Sequence, residues 1–200
     1  MIIGLTGNIG SGKSKAAAYL ASKGAYIINA DKISREVVMP GMPAYQKIRK
    51  VFGEEYFFSN GSLDRKKLGN LVFNDPTALK KLNAITHPAI VNRCRSLADD
   101  YLRKNPNGIV VIEAALFVET DMLEMVDSLW LLVCDRKLRL ERIIDRDKLT
   151  MSEAIARMES QMSEERKKAY ADHIVDNNND EKALFANLDK LWENTILNKE

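Results

Sequence analysis

The chain opens with a glycine-rich loop between an apolar run and an alanine-rich segment. Residues 7–14 read Gly-Asn-Ile-Gly-Ser-Gly-Lys-Ser, which matches the pattern G-x-x-x-x-G-K-[ST] at every fixed position. The apolar run Met1–Thr6 predicts a buried strand, and Lys15–Lys23 with its four alanines predicts a helix. Strand, glycine loop and helix is the context in which this pattern binds phosphate, so the sequence predicts a nucleoside triphosphate site here.

Two side chains of the loop have separate predicted roles in binding ATP and Mg²⁺. Lys13 has the length and charge to reach the β- and γ-phosphates, and the hydroxyl of Ser14 is a ligand for Mg²⁺. The glycines let backbone N–H groups turn towards phosphate oxygens, and the N-terminus of the following helix adds partial positive charge. We therefore expect a bound nucleoside triphosphate, with ATP and Mg²⁺ as the predicted cofactors, and these residues leave open what the chain does with it.

The composition excludes several other classes of protein. A hydrophobic content of 46% is enough for a true core, and a net charge of +2 gives no argument for nucleic acid or an anionic membrane as partner. No apolar run approaches the roughly 20 residues that span a bilayer, and the N-terminus does not resemble a signal peptide. Cys94 and Cys134 lie far apart, without neighbours at metal-ligand spacing. We expect a cytoplasmic protein, whose oligomeric state the sequence leaves open.

Five mostly continuous apolar runs predict strands that are covered on both faces. They are Met1–Thr6, Ala25–Asn29, Ile109–Ala114, Ser128–Cys134 and His173–Val175. Helical segments lie between them, including a closing amphipathic helix over Asp180–Leu197. The alternation predicts an α/β fold with a parallel five-stranded sheet flanked by helices.

The long interval between the second and third strands contains helices only. Asp64 precedes a helix that runs to Phe73, Asp75-Pro76 has the residues of an N-cap and first helical position, and Pro88 predicts the start of a third helix that ends near Lys104. We expect one domain with a core of about 1–33 and 108–200, and a helical insertion of about 34–107 that forms a second lobe.

Asp31 is the candidate general base. It follows the second strand, and in an open parallel sheet the carboxyl ends of the strands hold the acceptor site. A carboxylate there accepts the proton of an acceptor hydroxyl. The alternative, given equal weight, is that Asp31 is the N-cap of a helix over Lys32–Val38. Arg35, one turn later, either binds an anionic substrate or pairs with Asp31.

Glu113 ends the third predicted strand, where such folds hold a carboxylate near the metal. A charge at the end of a buried strand needs a partner, which favours a functional role over ordinary loop acidity. Glu119 follows in the loop and has the same two interpretations. His87, before Pro88, is either structural or a substrate contact.

A basic segment follows the fourth strand. Arg139, Arg142 and Arg146 recur at spacings of three and four, which places them on one helix face. Such a face fits a lid, over about 137–165, that supplies positive charge to the transferring phosphoryl group. The alternative is a solvated basic helix balanced by acids of the same segment, which are Glu141, Asp145 and Asp147.

Several blocks of the sequence, in order along nearly the whole chain, resemble the dephospho-coenzyme A kinase family. The blocks are Gly4–Ser14, Ile28–Val38, Phe52-Gly53, Gly61–Arg65, His87-Pro88 and Ala171–Asn177. The first is shared by many nucleotide-binding proteins, whereas the second and last are more specific. The segment Glu113-Ala114-Ala115-Leu116-Phe117 departs from the family, which often has Asp and Pro at its first and third positions.

The resemblance implies transfer of the ATP γ-phosphoryl group to the ribose 3′-hydroxyl of dephospho-CoA, the last step of coenzyme A synthesis. It implies Asp31, Lys13 and Arg142 as catalytic residues, with Ser14 on the metal and the acceptor in the helical insertion. The implied nucleotide-binding residues are Gly7, Asn8, Gly10, Ser11, Gly12, Lys13, Ser14, Lys15, Arg142 and Asn177, the last near adenine. The implied acceptor-binding residues are Asp31, Arg35, Arg65, His87, Glu113 and Leu116.

Two other classes of function compete with this assignment. One is a different small-molecule kinase, for a nucleoside or nucleotide. The other is a GTP-dependent switch or a nucleotide-sensing module. Guanine binding normally uses N-K-x-D, and the only Asn-Lys pair here, Asn198-Lys199, is followed by the terminal Glu200. A sensing module would need neither Asp31 nor an arginine lid.

Overall fold

The structure is a computed structural model that describes residues 1–120 and 122–197. Asp121 and the terminal Asn198-Lys199-Glu200, with the Asn-Lys pair discussed above, lie outside the described residues. The strands are β1 (Ile2–Gly7), β2 (Tyr26–Asn29), β3 (Val110–Glu113), β4 (Ser128–Val133) and β5 (His173–Asp176). All five predicted strands are therefore confirmed, and no strand end differs from the prediction by more than one residue.

The strands form one parallel sheet in the order β2-β3-β1-β4-β5. The central strand β1 pairs with β3 on one side, where Leu5 lies opposite Glu113, and with β4 on the other, where Gly7 lies opposite Leu132. Every residue of β3 and β4 is buried, as the continuous apolar runs predict. The chain places β2 and β3 on one side of β1 and β4 and β5 on the other, so the crevice for a ligand is expected at the carboxyl end of β1.

Nine helices are found in the described part of the chain. They are α1 (Lys13–Ser22), α2 (Ala30–Glu36), α3 (Pro43–Phe52), α4 (Arg65–Asn74), α5 (Pro76–Lys104), α6 (Arg136–Asp147), α7 (Met151–Glu159), α8 (Glu164–Lys168) and α9 (Glu181–Leu197). No helix among the described residues is both long enough and apolar enough to cross a membrane. The closing helix α9 packs Leu188 and Trp192 into the same core as Leu20 of α1 and Trp130 of β4.

The chain divides into two compact units. Unit 1 comprises Met1–Ile28 and Ala98–Glu200, and unit 2 comprises Asn29–Leu97. Unit 1 contains most of the sheet with its flanking helices, and unit 2 contains α2, α3, α4 and most of α5. The assignment of 34–107 as an acceptor-binding insertion and of 137–165 as a lid stays a prediction.

The prediction that a separate helix starts at Pro88 is wrong. Helix α5 is continuous over 29 residues, with Pro88 in its interior. The predicted start at Asp75-Pro76 is correct, because Asp75 Oδ1 accepts hydrogen bonds from the N–H groups of Thr77 at 2.8 Å and Ala78 at 3.1 Å. Proline removes one intrahelical bond, to the carbonyl of Ala84, and a long helix tolerates this loss because the bonds of the adjacent turns remain.

Replacing Pro88 by alanine tests the continuity of α5. Alanine restores the missing N–H donor, so Pro88→Ala should raise the free energy of unfolding by roughly 2 kcal/mol, after allowance for the stiffer unfolded chain of the wild type. The control is Pro76→Ala, because proline at the first helical position loses no bond. Urea unfolding followed by circular dichroism measures both variants. An unchanged or lower stability of Pro88→Ala would contradict a continuous helix.

Candidate active site

The loop after β1 depends on two glycines in left-handed backbone conformations. Gly10 has φ 81° and Gly12 has φ 95°. A Cβ at Gly10 would lie 2.7 Å from the carbonyl oxygen of Arg139, and one at Gly12 would collide with the side-chain amide of Asn177. Any other residue would therefore be strained and would also push α6 or Asn177 away. The shape of the loop, called the cradle below, therefore leaves no room for a side chain at positions 10 and 12.

The start of α1 presents positive charge to this cradle. Gly12 caps the helix and has no side chain to accept hydrogen bonds from the first-turn N–H groups, a role that phosphate oxygens can take. The ammonium of Lys13 is buried and donates to the carbonyl oxygens of Gly7 at 2.8 Å and Asn8 at 3.4 Å. The glycine turns and the lysine at the start of α1 are therefore where the sequence places them, and phosphate binding by this loop stays a prediction.

Ser14 of α1 and Glu113 at the end of β3 are in contact at the carboxyl end of the sheet. The Ser14 hydroxyl donates to Glu113 Oε1 at 2.7 Å, and only 3% of Glu113 is exposed. Glu113 is brought there because β3 pairs with β1, so that the end of β3 lies beside the residues that follow β1. Because the hydroxyl donates this hydrogen bond, the lone pairs of its oxygen remain available, as a ligand of Mg²⁺ requires.

Arg142 approaches the loop from α6. Its guanidinium donates to the carbonyl oxygens of Gly10 at 3.3 Å and Asn177 at 3.4 Å, and lies 3.2 Å from Cys134 Sγ. The buried Asn177 in turn donates from its side-chain amide to the carbonyl oxygen of Ser11 at 2.7 Å. Arg142 and Asn177, both predicted at the nucleotide site, therefore contact the backbone of the cradle. The bond from Asn177 also fixes the position of the loop at Ser11.

The prediction that Arg139, Arg142 and Arg146 share one face towards the nucleotide is wrong for two of them. Arg139 is buried and donates from Nε to the Cys134 carbonyl oxygen at 2.9 Å. Arg146 pairs with Asp147, with Nε and Oδ1 2.7 Å apart, and this hydrogen bond lowers the pKa of the Asp147 carboxyl. Spacing of three and four places residues near one side of a helix, but the partners available along that side differ at each turn.

The helix pair α6–α7 has its own apolar cluster, which Ile9 of the loop joins. Ile143, Ala154 and Met158 are its buried members, and Ile9 packs against them. A polar contact lies beside this cluster, since the Ile9 N–H donates to Gln161 Oε1 at 2.8 Å. No sequence pattern indicated Gln161, because it follows α7 in an irregular segment and its role comes from a backbone contact distant in sequence.

In unit 2, Asp31 is not the N-cap of α2. The cap is Asn29, whose side-chain oxygen accepts from the Lys32 N–H at 2.8 Å. Asp31 lies in the first turn, and its carboxylate is exposed, with no hydrogen bond or ion pair to other residues within the ranges 1–120 and 122–197. The alternative interpretation of Asp31 as a cap is therefore wrong, and this carboxylate needs another explanation.

Arg35 and Arg65 form a basic pair within unit 2. Arg65 lies in the wall of a cavity of about 210 Å³ that Ser34, Val38 and Thr86 also line. Partial burial in this wall, together with the positive charge of Arg35, lowers the pKa of the Arg65 guanidinium. In the part of unit 2 that the structure describes, neither arginine has an acidic ion-pair partner, so the pair is suited to bind an anion.

Three further predicted site residues have different surroundings. His87 is partly buried inside α5 and not at a helix start. Leu116, in the segment after β3, is 43% exposed, which leaves its side chain available to a ligand. Lys15 pairs with Glu181 of α9, so its ammonium is directed to that helix.

Comparison with known proteins identifies the family. A sequence profile described as dephospho-CoA kinase matches residues 1–183. The dephospho-CoA kinase of Moorella thermoacetica is 43% identical over 192 residues, which are 96% of this chain and 91% of that protein. The enzyme of Geobacter sulfurreducens is 41% identical over 194 residues, with 96% of each chain covered.

Solved structures agree with this relationship. A protein of Thermus thermophilus superposes with a TM-score of 0.81 at 30% identity, with 97% of both chains covered. The dephospho-CoA kinase of Campylobacter jejuni gives a TM-score of 0.71 at 30% identity, with 100% of this chain and 98% of that chain covered. Shikimate kinase of Acinetobacter baumannii, at 16% identity and a TM-score of 0.56 over 99% of this chain and 94% of that one, shares the fold. The chain thus belongs to the dephospho-CoA kinase family, whose members are phosphotransferases that complete the synthesis of coenzyme A.

Proposed function

We propose that this chain transfers the γ-phosphoryl group of ATP to the ribose 3′-hydroxyl of dephospho-CoA. The hydroxyl oxygen forms a bond to the γ-phosphorus, the bond from that phosphorus to the β–γ bridging oxygen breaks, and ADP leaves. The products are coenzyme A and ADP. The observation that carries the proposal is the match of the family over residues 1–183, which includes the nucleotide cradle and all of unit 2.

The cradle of β1 and α1 supports ATP as the phosphoryl donor. Gly10 and Gly12 give the loop its left-handed turns and let Arg139 and Asn177 pack directly against it, and Lys13 supplies positive charge at the start of α1. Ser14 and Glu113 supply a hydroxyl and a carboxylate of the kind that Mg²⁺ prefers, so we assign the ion to Ser14 with Glu113 beside it. Bound Mg²⁺ would neutralise charge on the β- and γ-phosphates.

Asp31 is assigned as the group that accepts the hydroxyl proton. An exposed carboxylate without a partner in the described residues costs nothing to redirect towards a substrate, and Asn29 already supplies the helix cap. Arg142 is assigned to the charge that develops on the transferring group. Its present contacts are long hydrogen bonds to backbone oxygens, which a phosphate oxygen can replace with a stronger, charge-assisted bond.

Unit 2 is assigned to the acceptor. Dephospho-CoA carries a diphosphate, and the unpaired Arg35 and Arg65 provide two guanidinium groups for it. The resemblance to the family also implies His87, Glu113 and Leu116 as acceptor-binding residues, and these assignments stay predictions. The proposed partner is this small molecule alone, without nucleic acid or membrane, and the cytoplasmic location likewise stays a prediction.

An assay with several acceptors tests the function. Purified protein with Mg-ATP should phosphorylate dephospho-CoA with a kcat/KM at least on the order of 10²-fold above that for adenosine, because contacts to the remote diphosphate and pantetheine orient the hydroxyl. Coupled detection of ADP, with mass spectrometry of the product, measures the rates. A nucleoside or nucleoside monophosphate as the better acceptor would refute the substrate and leave a phosphotransferase.

Replacement of Asp31 tests the general base. Asp31→Asn should lower kcat by on the order of 10²- to 10⁴-fold and leave ATP affinity little changed, because the amide cannot accept the hydroxyl proton. The matched control is Asp64→Asn in the same unit. Asp64 caps α4 by accepting from the Lys67 N–H at 2.9 Å, and asparagine caps equally well, so its kcat should remain that of the wild type. Equal kcat in both variants would remove Asp31 from the chemistry.

Replacement of Arg142 tests the lid. Arg142→Ala should reduce kcat by on the order of 10³-fold with a smaller effect on the KM for dephospho-CoA, because the arginine acts on charge that is greatest in the transition state. Arg146→Ala on the same helix is the control, since its guanidinium is exposed and paired with Asp147. A rise in the acceptor KM without loss of kcat would place Arg142 in acceptor binding instead.

A further inference from the structure

Lys167 of α8 is a charged side chain with no exposure to solvent. Lysine is almost never fully buried unless its ammonium is paired, because removing the charge from water is costly. Burial indeed lowers the pKa of Lys167, and the neighbouring Glu119 opposes that shift. An apolar residue would fill the same volume without the free-energy cost of removing a charge from water. The buried ammonium is therefore expected to have a role other than packing.

The ammonium of Lys167 holds the segment that follows β3. It donates to the carbonyl oxygen of Ala115 at 2.6 Å and forms an ion pair with Glu119 Oε1 at 3.3 Å. That segment begins directly after Glu113, which accepts the hydrogen bond of Ser14, and it carries the exposed Leu116. A single buried lysine therefore fixes both ends of a loop that starts at the proposed metal site.

Glu119 extends the contact to the nucleotide loop. The same Glu119 Oε1 accepts from the Met162 N–H at 3.4 Å, and the Met162 carbonyl oxygen accepts from the side-chain amide of Asn8 at 3.0 Å. Next to it, the Ile9 N–H donates to Gln161. Lys167 and Glu119 thus join the segment after β3 to the connection between α7 and α8. Residues 161 and 162 of that connection in turn bond to the loop after β1.

We propose that Lys167 is a positioning residue for phosphoryl transfer, which fixes the segment after β3 and, through Glu119 and Met162, the α7–α8 connection against the nucleotide loop. Its side chain has no exposure to solvent and its ammonium is bound to groups of the protein, so it acts through the segments that it holds. The effect on rate rests on the function proposed above. Reacting groups must be held closely, and a displacement of about 1 Å can lower the rate on the order of 10²-fold.

The test compares Lys167→Met with the neighbouring control Lys168→Met. Methionine keeps the length and fills the buried site without a donor. Lys168 is one-third exposed, and its ion-pair partners among the described residues are Glu164 and Glu165 of its own helix. Lys167→Met should lower kcat by on the order of 10²-fold with little change in the KM for ATP. Lys168→Met should retain the wild-type kcat. A Lys167→Met variant with wild-type kcat would overturn the proposal.

A second variant separates positioning from stability. Lys167→Met leaves Glu119 partly buried without its counter-charge, so the variant should also be less stable. The double variant Lys167→Met/Glu119→Leu removes both charges and should recover thermal stability, but its kcat should stay low because the bond to the Ala115 carbonyl is still missing. Recovery of kcat together with stability would show a purely structural role and would refute positioning.

Hydrogen exchange provides a measurement that does not depend on the substrate. In Lys167→Met, amides of residues 114–120 and of Met162 should exchange faster than in the wild type, while those of β4 should not. Unchanged hydrogen exchange in residues 114–120 would refute the proposal that Lys167 fixes this segment. If the wild type failed to phosphorylate dephospho-CoA, the proposed function would fall, and the exchange result would still decide whether Lys167 fixes these segments.

Discussion

The absence of side chains at Gly10 and Gly12 is the constraint on which the active site depends. Their left-handed backbone turns the loop after β1, and their missing Cβ atoms let the backbone of Arg139 and the amide of Asn177 come into direct contact with it. Because α6 and the residue after β5 pack directly against the loop, the guanidinium of Arg142 can donate hydrogen bonds to the backbone oxygens of Gly10 and Asn177. The cradle is thus shaped by its neighbours as well as by its own sequence.

Buried polar contacts then fix the other parts of the site in unit 1. Ser14 is bound to Glu113 on one side of the loop, while Asn8 and Ile9 are bound to the segment 161–162 on the other. In a low-dielectric interior such contacts are costly to break, so each one favours a single arrangement of backbone. The Lys167–Glu119 pair connects the segment after β3 to the segment 161–162, and its lysine has no exposure to solvent.

Sequence reasoning succeeded where the signal was local. The glycine loop, the five apolar strands, the start of α5 at Asp75-Pro76 and the closing helix with its buried Trp192 all follow from residues adjacent in the chain. It failed at Pro88, because proline weakens a helix without forbidding it. At Asp31 it left two interpretations open, and the structure excludes the helix cap because Asn29 takes that position two residues earlier. Both cases concern a choice between local alternatives of similar free energy.

The sequence by itself determined that this chain has a parallel sheet with a glycine-rich loop after its first strand, because periodicity and glycine spacing act within a few residues. Only the tertiary structure decided which polar residues meet. Arg139, Arg142 and Arg146 have similar spacing and the same charge, yet one binds a backbone carbonyl, one approaches the cradle and one pairs with Asp147. Gln161, Glu119 and Lys167 carry no motif, since their partners lie distant in sequence and become neighbours only when the strands pair.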